Sequence, residues 1–411
     1  MSFIQTQDPI AYEILKNEEE RQKYELELIA SENYVSSAVR EANGSIFTNK
    51  YSEGYPGKRY YAGQEFVDQV ENLAIDRAKR LFGAEYVNVQ PLSGSPANLA
   101  VFLAVLQPGD TILGLSLDQG GHLTHGHPLN FSGKTYKIVP YVLDKETERI
   151  NMDEVERLAK EHKPKLILAG FSAYSRSLDW ARFREIADMT GAILMADIAH
   201  IAGLIAGKAI ENPIPYCDIV TTTTHKTLRG PRGAIIMSKE AYGPLIAKAV
   251  FPGVQGGPHD HTTLAKAIAF GEALDPSFQE YARQVIDNCI AMSDKFMENG
   301  LRVVSGGTEN HIILLDVFGS LGISGKEAEI ALEKVGISCN KNMIPYDTRK
   351  PLDPSGIRLG TPAITTRGMK EVAARQVAEI IIKALHNYNN DDALAQLKKE
   401  VKKICEHYPL P

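Results

Sequence analysis

The sequence predicts an α/β protein, with a large domain on a mostly parallel sheet flanked by helices and a smaller α+β domain after it. Three observations carry this prediction. Seven strand-length apolar runs alternate with amphipathic helical patterns. A chain of 411 residues is too long for one simple core. Beyond a helix-rich stretch a second, shorter group of strands appears among long amphipathic helices.

Taken in order, Ile10 to Leu28 mixes acidic and basic residues with spaced apolar ones and is expected to be helical. The next distinctive segment, NKYSEGYPGKRYYAGQEF, is crowded with Gly and Tyr and is a poor candidate for regular structure. Loops of that length are often functional. The runs YVNVQ, DTILGLSL, YKIVPYV, KLILAGF, AILMAD, DIVTTTT and GAIIM follow as strands, separated by helices such as SPANLAVFLAVL and MDEVERLAKEH. Sheets of this kind carry ligands at the carboxyl ends of their strands. A helical stretch from Asp275 to Asn299 then leads to LRVVS, HIILLDV, GISCN and GIRLG. The expected divisions are a helical arm (1–25), a large domain (26–278) and a small domain (279–411), with no internal repeats or low-complexity tract.

The formal net charge is -6, with lysines and arginines dispersed. This argues against a nucleic-acid binder and gives no polybasic membrane signal. The apolar runs are far short of a membrane span, and MSFIQTQDPI lacks the regions of a signal peptide, so a cytoplasmic protein is expected. Cys217, Cys289, Cys339 and Cys405 stand far apart without a CxxC pair, which speaks against a disulfide framework or a zinc site.

The chemistry centres on TTTTHKTLRGPRG, where Lys226 follows a β-branched strand and precedes a tight Gly-Pro turn. A lysine in such a partly desolvated place has a lowered pKa, and its free amine becomes a nucleophile suited to Schiff-base formation. Four other stretches supply partners. In QPLSGSPANLAVF, Ser93, Gly94 and Ser95 sit just before a helix, where N–H groups and hydroxyls surround an anion; an ordinary N-cap is the alternative. In AILMADIAHIAGL, Asp197 leaves an apolar strand and His200 follows three residues later; a carboxylate there needs a cation or an N–H, and a protonated pyridine nitrogen is one. In DQGGHLTHGHPLNFSG three histidines sit among glycines without the helical spacing of a zinc motif, and one stacked on a flat ligand is the competing reading. In SGIRLGTPAITTRG, Arg358 offers a rigid fork to a carboxylate. Amine, anion cradle, ring-nitrogen carboxylate and carboxylate-binding guanidinium together suit pyridoxal phosphate acting on an amino acid.

LELIASENYVS, TNKYSEGYPGKRYYAGQEFVD, SGSPAN, GGHLTHG, DIAHIAGL, TTTTHKTLRGPRG, FPGVQGGPHDH and GIRLGTPAITTRG together resemble the serine hydroxymethyltransferase family, in order and over nearly the whole chain. The resemblance implies the fold-type I, aspartate aminotransferase-like architecture of pyridoxal phosphate enzymes. It also implies interconversion of serine and glycine with tetrahydrofolate as co-substrate, in a homodimer with shared sites. Lys226 would carry the Schiff base, Asp197 would meet the pyridine nitrogen, and His122 would stack on the ring. Ser172 and His200 would lie near its phenolic oxygen. Ser93, Gly94 and Ser95 match the phosphate site, which Tyr51 and Gly257 complete from the partner subunit. Ser31 and Arg358 match residues near the substrate carboxylate, with Glu53, Tyr60 and Tyr61 closing the site across the dimer and Glu53 as acid/base. Thr223 and His225 join the catalytic set, and His225 with Arg232 is expected to hold the loop. Leu117, Gly121 and Leu123, around His122, are taken as substrate-binding. A threonine-type aldolase or a 2-methylserine hydroxymethyltransferase is the alternative activity in the same fold.

Two departures from the family pattern stand out. Leu92 and Pro96 flank the cradle where His and Gln are usual, and Pro96 suits a first helical turn. Lys350, Pro351 and Leu352 replace the usual Ser-Pro-Phe on the folate side. Loss of the aromatic partner implies weaker folate binding, and the added lysine implies stronger salt dependence.

Overall fold

The computed structural model describes residues 2–411. All seven runs of the first group form strands: β1 (Tyr86–Asn88), β2 (Thr111–Leu115), β3 (Lys137–Tyr141), β4 (Leu166–Gly170), β5 (Ile193–Asp197), β6 (Ile219–Thr223) and β7 (Ala234–Ser238). They make one sheet in the order β1-β7-β6-β5-β4-β2-β3. The ladders from β3 across to β6 are parallel, and β7 runs antiparallel to both of its neighbours.

The two-residue period of a strand sends successive side chains to opposite faces. Leu113, Ile167, Leu194, Val220 and Ile235 pack on one face with helices Glu65–Phe82 and Trp180–Thr190. Ile112, Leu168, Met195, Ile219 and Ile236 pack on the other with helix Gly94–Val105. From β2 the chain crosses to β3 on one side and returns to β4 on the other. That reversal opens a crevice at the carboxyl ends of the strands, the usual ligand position in such sheets.

The second group forms an antiparallel sheet, β8 (Arg302–Val303), β9 (Ile312–Asp316), β10 (Asn340–Asn342) and β11 (Gly356–Gly360), in the order β8-β9-β11-β10. Ile313, Leu315, Ile357 and Leu359 face a second core shared with helices Glu371–His386 and Asp391–His407. Ile312 and Leu314 face the first core. Helix Ser277–Glu298 places Tyr281, Ala282 and Val285 in the first core and Cys289, Met292 and Phe296 in the second. The two cores meet along this helix.

The expected helix from Ile10 to Leu28 is shorter, Pro9–Tyr24. Glu25 is extended, and Leu26–Glu27 pairs in parallel with Ile337–Ser338. Leu26 and Leu28 are thereby buried in the second core. LRVVS is a strand only at Arg302–Val303, because Ser305 turns at φ 58° with its N–H held by Glu148. GISCN splits between the pairing to Leu26–Glu27 and β10. No helix among the described residues is long and apolar enough to cross a membrane.

Candidate active site

A cavity of about 340 Å³ opens at the carboxyl ends of β4, β5 and β6, under β11. Ser31, Ser93, Gly94, Ser95, His122, Ser172, Asp197, His200, Thr223, His225, Lys226, Arg232 and Arg358 all line it. The sequence thus names most of its wall.

Lys226 follows β6 by three residues and is buried. Burial lowers its pKa to about 8, against a smaller opposing pull from Asp197. Arg232 does not hold the loop around it, while the His225 ring lies against the Gly233 backbone. Arg232 is exposed at the cavity edge and has no hydrogen bond among the described residues, and His225 Nδ1 is buried without a partner. The turn is closed instead by Thr224 Oγ1 donating to the Pro231 carbonyl at 2.6 Å and Gly230 N–H donating to the Thr224 carbonyl at 2.7 Å. Asn33 Nδ2 adds a bond to the Lys226 carbonyl at 3.0 Å. Short hydroxyls and N–H groups fit such a turn.

Asp197 ends β5 and is buried. Burial would raise its pKa, yet His125 and Asn98 hold it well below the usual carboxylate range. Asn98 Nδ2 donates to Oδ2 at 2.9 Å, the Ala199 N–H donates to Oδ1 at 3.1 Å, and His125 Nε2 stands 3.2 Å from Oδ2. The His122 N–H donates to His125 Nδ1 at 3.2 Å, so neutral His125 carries its proton on Nε2 and donates it to Asp197. His122, His125 and Asp197 lie close enough to ligate a metal, within 4.8 Å of one another. With its proton placed on Nε2, His125 acts as a donor rather than a ligand. Thr221 Oγ1 donates to Asn98 Oδ1 at 2.7 Å, which fixes the amide orientation. Asp197 therefore presents a fixed anion to the cavity.

Ser93 is the N-cap of helix Gly94–Val105 but makes no side-chain capping bond, so its hydroxyl remains free for an anion. Pro96 fits that first turn, as the sequence suggested. Gly94 passes so close to β6 that a Cβ would stand 2.9 Å from Thr223 Cγ2. His122 introduces a short 3-10 turn, Leu123–His125, with Nδ1 bonded to Thr124 Oγ1 at 2.7 Å; burial lowers its pKa to about 4. His200 stacks on His311, with Nδ1 and Nε2 3.3 Å apart, and burial keeps both neutral near pH 7.

Arg358 lies on β11 between core-facing Ile357 and Leu359, so alternation points it the other way. Its Nε donates to Asn340 Oδ1 at 3.0 Å and its Nη1 to the Ser172 carbonyl at 2.6 Å. Asn340 is its cross-strand neighbour. No carboxylate pairs with Arg358 among the described residues, and burial lowers its pKa to about 10. A half-buried, desolvated guanidinium without a counter-ion is costly and is relieved by an incoming carboxylate.

A second cavity of about 280 Å³ adjoins the first through His122 and Ser172 and is lined by Leu117, Gly121, Leu123, Lys341, Asn342 and Pro351. Of the triplet singled out in the sequence only Pro351 reaches it. Lys350 and Leu352 are exposed, Leu352 at 82%, because an isolated Lys350–Asp353 bridge turns them outward. The basic group on that wall is Lys341, paired with Glu329 at 2.6 Å.

Besides Lys350 and Leu352, five of the named residues meet neither cavity. Tyr51, Glu53, Tyr60, Tyr61 and Gly257 gather elsewhere on the surface. Tyr51 Oη donates to Glu53 Oε1 at 3.1 Å, Tyr51 and Tyr61 pack edge to face at 5.6 Å, and Tyr60 lies on Phe251 at 5.5 Å. A Cβ on Gly257 would press on the Tyr51 ring at 3.2 Å.

The sequence reading missed Asn98, His125 and His311. Asn98 stands three residues after Ser95 on the same helix, and His125 lies in the three-histidine run, so both had a local signal. His311 had none, since it meets His200 only through the packing of β9 against the large sheet.

The charge balance of the main cavity suits pyridoxal phosphate. Lys226, Arg232 and Arg358 face a single carboxylate, Asp197, at a helix N-terminus with a free serine hydroxyl. Such a surplus accepts a phosphate and a substrate carboxylate, and Asp197 accepts a ring N–H. The family model of serine hydroxymethyltransferase matches residues 4–381. With that match over nearly its whole length, the chain belongs to the serine hydroxymethyltransferase family and has the fold-type I architecture of pyridoxal phosphate enzymes.

Proposed function

We propose that the protein converts L-serine and tetrahydrofolate reversibly to glycine, 5,10-methylenetetrahydrofolate and water, with pyridoxal phosphate attached at Lys226. One observation carries the reading. A desolvated amine, an ionised aspartate and a half-buried guanidinium without a counter-ion converge on one cavity at the switch point of the sheet. When bound, the cofactor supplies a sink for the electron pair released as the Cα–Cβ bond of serine breaks.

The chain's residues set the conditions for that chemistry. Ser93 and the N–H groups of Gly94 and Ser95 bind the phosphate. The Asp197 carboxylate, ionised by three hydrogen bonds, holds the proton on the ring nitrogen. His122, on the cavity wall, would cover one face of the ring. Arg358 orients the amino acid through its carboxylate, since its remaining donors have no acceptor among the described residues. The lowered pKa of Lys226 keeps its Nζ available as a nucleophile and proton carrier. Tyr51, Tyr60 and Tyr61, which are exposed, with half-buried Glu53 and Gly257, all outside the lining of the chain's own cavity, are read as completing the cavity of a second copy. Glu53 then serves as acid/base toward the hydroxymethyl group.

The test is spectroscopic and chemical. Pyridoxal phosphate should give a visible band that moves on adding glycine and moves again with tetrahydrofolate. Serine consumption should require the folate. Rapid folate-independent cleavage of β-hydroxy amino acids, with none of the folate-dependent reaction, would place the protein with the aldolases instead.

A further inference from the structure

Lys266 is a fully buried lysine outside the cavity, on helix Asp260–Ala273. Its Nζ donates to three main-chain carbonyls, Val89 at 2.6 Å, Ala234 at 2.9 Å and Pro91 at 3.0 Å. An ammonium has three donors, and all three are used. Among the described residues it makes no ion pair. Burial pushes its pKa down to about 7, against a smaller opposing pull from the Glu71 carboxylate, and only the protonated amine can donate to all three carbonyls.

The three carbonyls belong to two segments that build the site. Ala234 begins β7 and is fixed in the ladder opposite Thr223, so it is a stiff anchor. Val89 and Pro91 lie beyond the last ladder pair of β1, Asn88 with Ile236, on the stretch that leads directly into Ser93. Pro91 has no N–H, and its carbonyl also accepts the Ala234 N–H at 3.2 Å. Buried carbonyls need partners, and where the ladder ends Lys266 supplies them. A buried cation is a poor device for stability alone, because apolar side chains of similar volume fill such space at lower cost. What the ammonium adds is a fixed offset between β7 and the chain entering the helix N-terminus.

We propose that Lys266 is a positioning residue for the anion cradle at Ser93, Gly94 and Ser95, pinning residues 89–91 to β7 so that the hydroxyl and N–H groups converge on a phosphate. The inference rests on the reading of that helix N-terminus as the phosphate site. It concerns the phosphate handle alone and leaves amine capture by Lys226 intact.

The test compares apo-protein binding of pyridoxal phosphate, pyridoxal and inorganic phosphate in the parent, Lys266→Met and Phe270→Leu. Phe270 is a buried residue of the same helix that touches none of the three carbonyls through hydrogen bonds, and its shortening loosens the core generally. Lys266→Met should lose about tenfold or more in affinity for pyridoxal phosphate and inorganic phosphate, with pyridoxal within about twofold. Phe270→Leu should keep the parent's ratio of pyridoxal phosphate to pyridoxal affinity. If Lys266→Met does not fold, Gly233→Ala replaces it. A Cβ there would stand 2.5 Å from Lys266 Cε and displace the side chain with its charge intact, and the same selective loss is expected. An unchanged ratio in the folded lysine or glycine variant, or an equal fall in Phe270→Leu, overturns the role of Lys266. A parent that binds pyridoxal as tightly as its phosphate, and inorganic phosphate not at all, overturns the cradle itself.

Discussion

Lys226 differs from the surface lysines in one measurable respect, its titration. With a pKa of about 8, roughly a tenth of the amine is free at pH 7, against well under a thousandth for an ordinary lysine near 10.4. In cofactor-free protein, aldehyde trapping with a reductant and peptide mass spectrometry should show Lys226 modified first, at a rate rising through pH 8. A Lys226 rate that still climbs steeply beyond pH 10 contradicts the assignment. Lys226→Ala should bind cofactor without sustaining multiple turnovers. Arg358 gives a second prediction at this scale. Its Nη1 and Nε are spent on Ser172 and Asn340, so the geometry of the fork fixes where its free edge points. Arg358→Lys should therefore raise the KM for serine almost as much as Arg358→Ala, with a loss of roughly 1.5–3 kcal/mol per charge-assisted bond. Near-parent KM in the lysine variant removes Arg358 from substrate binding.

Elements explain why part of the site was legible and part was not. β4, β5 and β6 announce themselves by β-branched and apolar runs, and Gly170, Asp197 and Thr223 stand at their carboxyl ends. Position along a strand is local information, and it identified Asp197 and Lys226. His311 and Lys266 act through contacts 111 and 177 residues away in sequence, and no local pattern encodes those. The segment from Tyr51 to Tyr61 reads as irregular in sequence, yet buried polar bonds hold it. Arg59 pairs with Asp68 at 2.8 Å and Glu71 at 2.6 Å, and Ser52 donates to Asp260 at 2.6 Å. Such a segment is stiff enough to present Tyr51 and Glu53 to a second copy without folding on contact. Mixing inactive Lys226→Ala with inactive Glu53→Gln subunits should regenerate some activity, because one hybrid site holds neither substitution. A verified mixed dimer with no recovered activity counts against shared sites. The 350–352 turn is expected to matter less than its sequence implied. Lys350→Ser/Leu352→Phe should change tetrahydrofolate affinity of the glycine complex by less than about twofold, since neither side chain lines the second cavity. A tenfold gain by titration calorimetry would restore those positions to the folate site.

At the scale of the whole molecule, the cavity lies where the large sheet meets β9 and β11, and the packing that closes it also buries histidines in neutral form. Burial lowers the pKa of His122 to about 4 and of His225 and His311 to about 3, and it lowers that of His200 as well. In the unfolded chain each returns to about 6.5. Their contribution is thus fully present above pH 6.5 and is lost as pH falls toward the folded values, because only the unfolded chain takes up the protons. The slope is up to about 1.4 kcal/mol per pH unit for each histidine. Asp197, held low by His125 and Asn98, has the same sign and acts below about pH 4, where its unfolded carboxyl protonates. Lys226 has the same sign in a higher window: its lowered pKa is a penalty that is full below about pH 8 and fades as pH rises toward 10.5. Cofactor-free protein should accordingly lose stability steeply between pH 6.5 and 4.5, well before bulk carboxylates titrate. Urea unfolding of the first transition across that range measures it, and His311→Asn should flatten the dependence by about one proton even if it lowers the midpoint at pH 7.5. A midpoint constant from pH 7.5 to 5, or an unchanged slope in His311→Asn, means that these histidines are not held neutral by the fold.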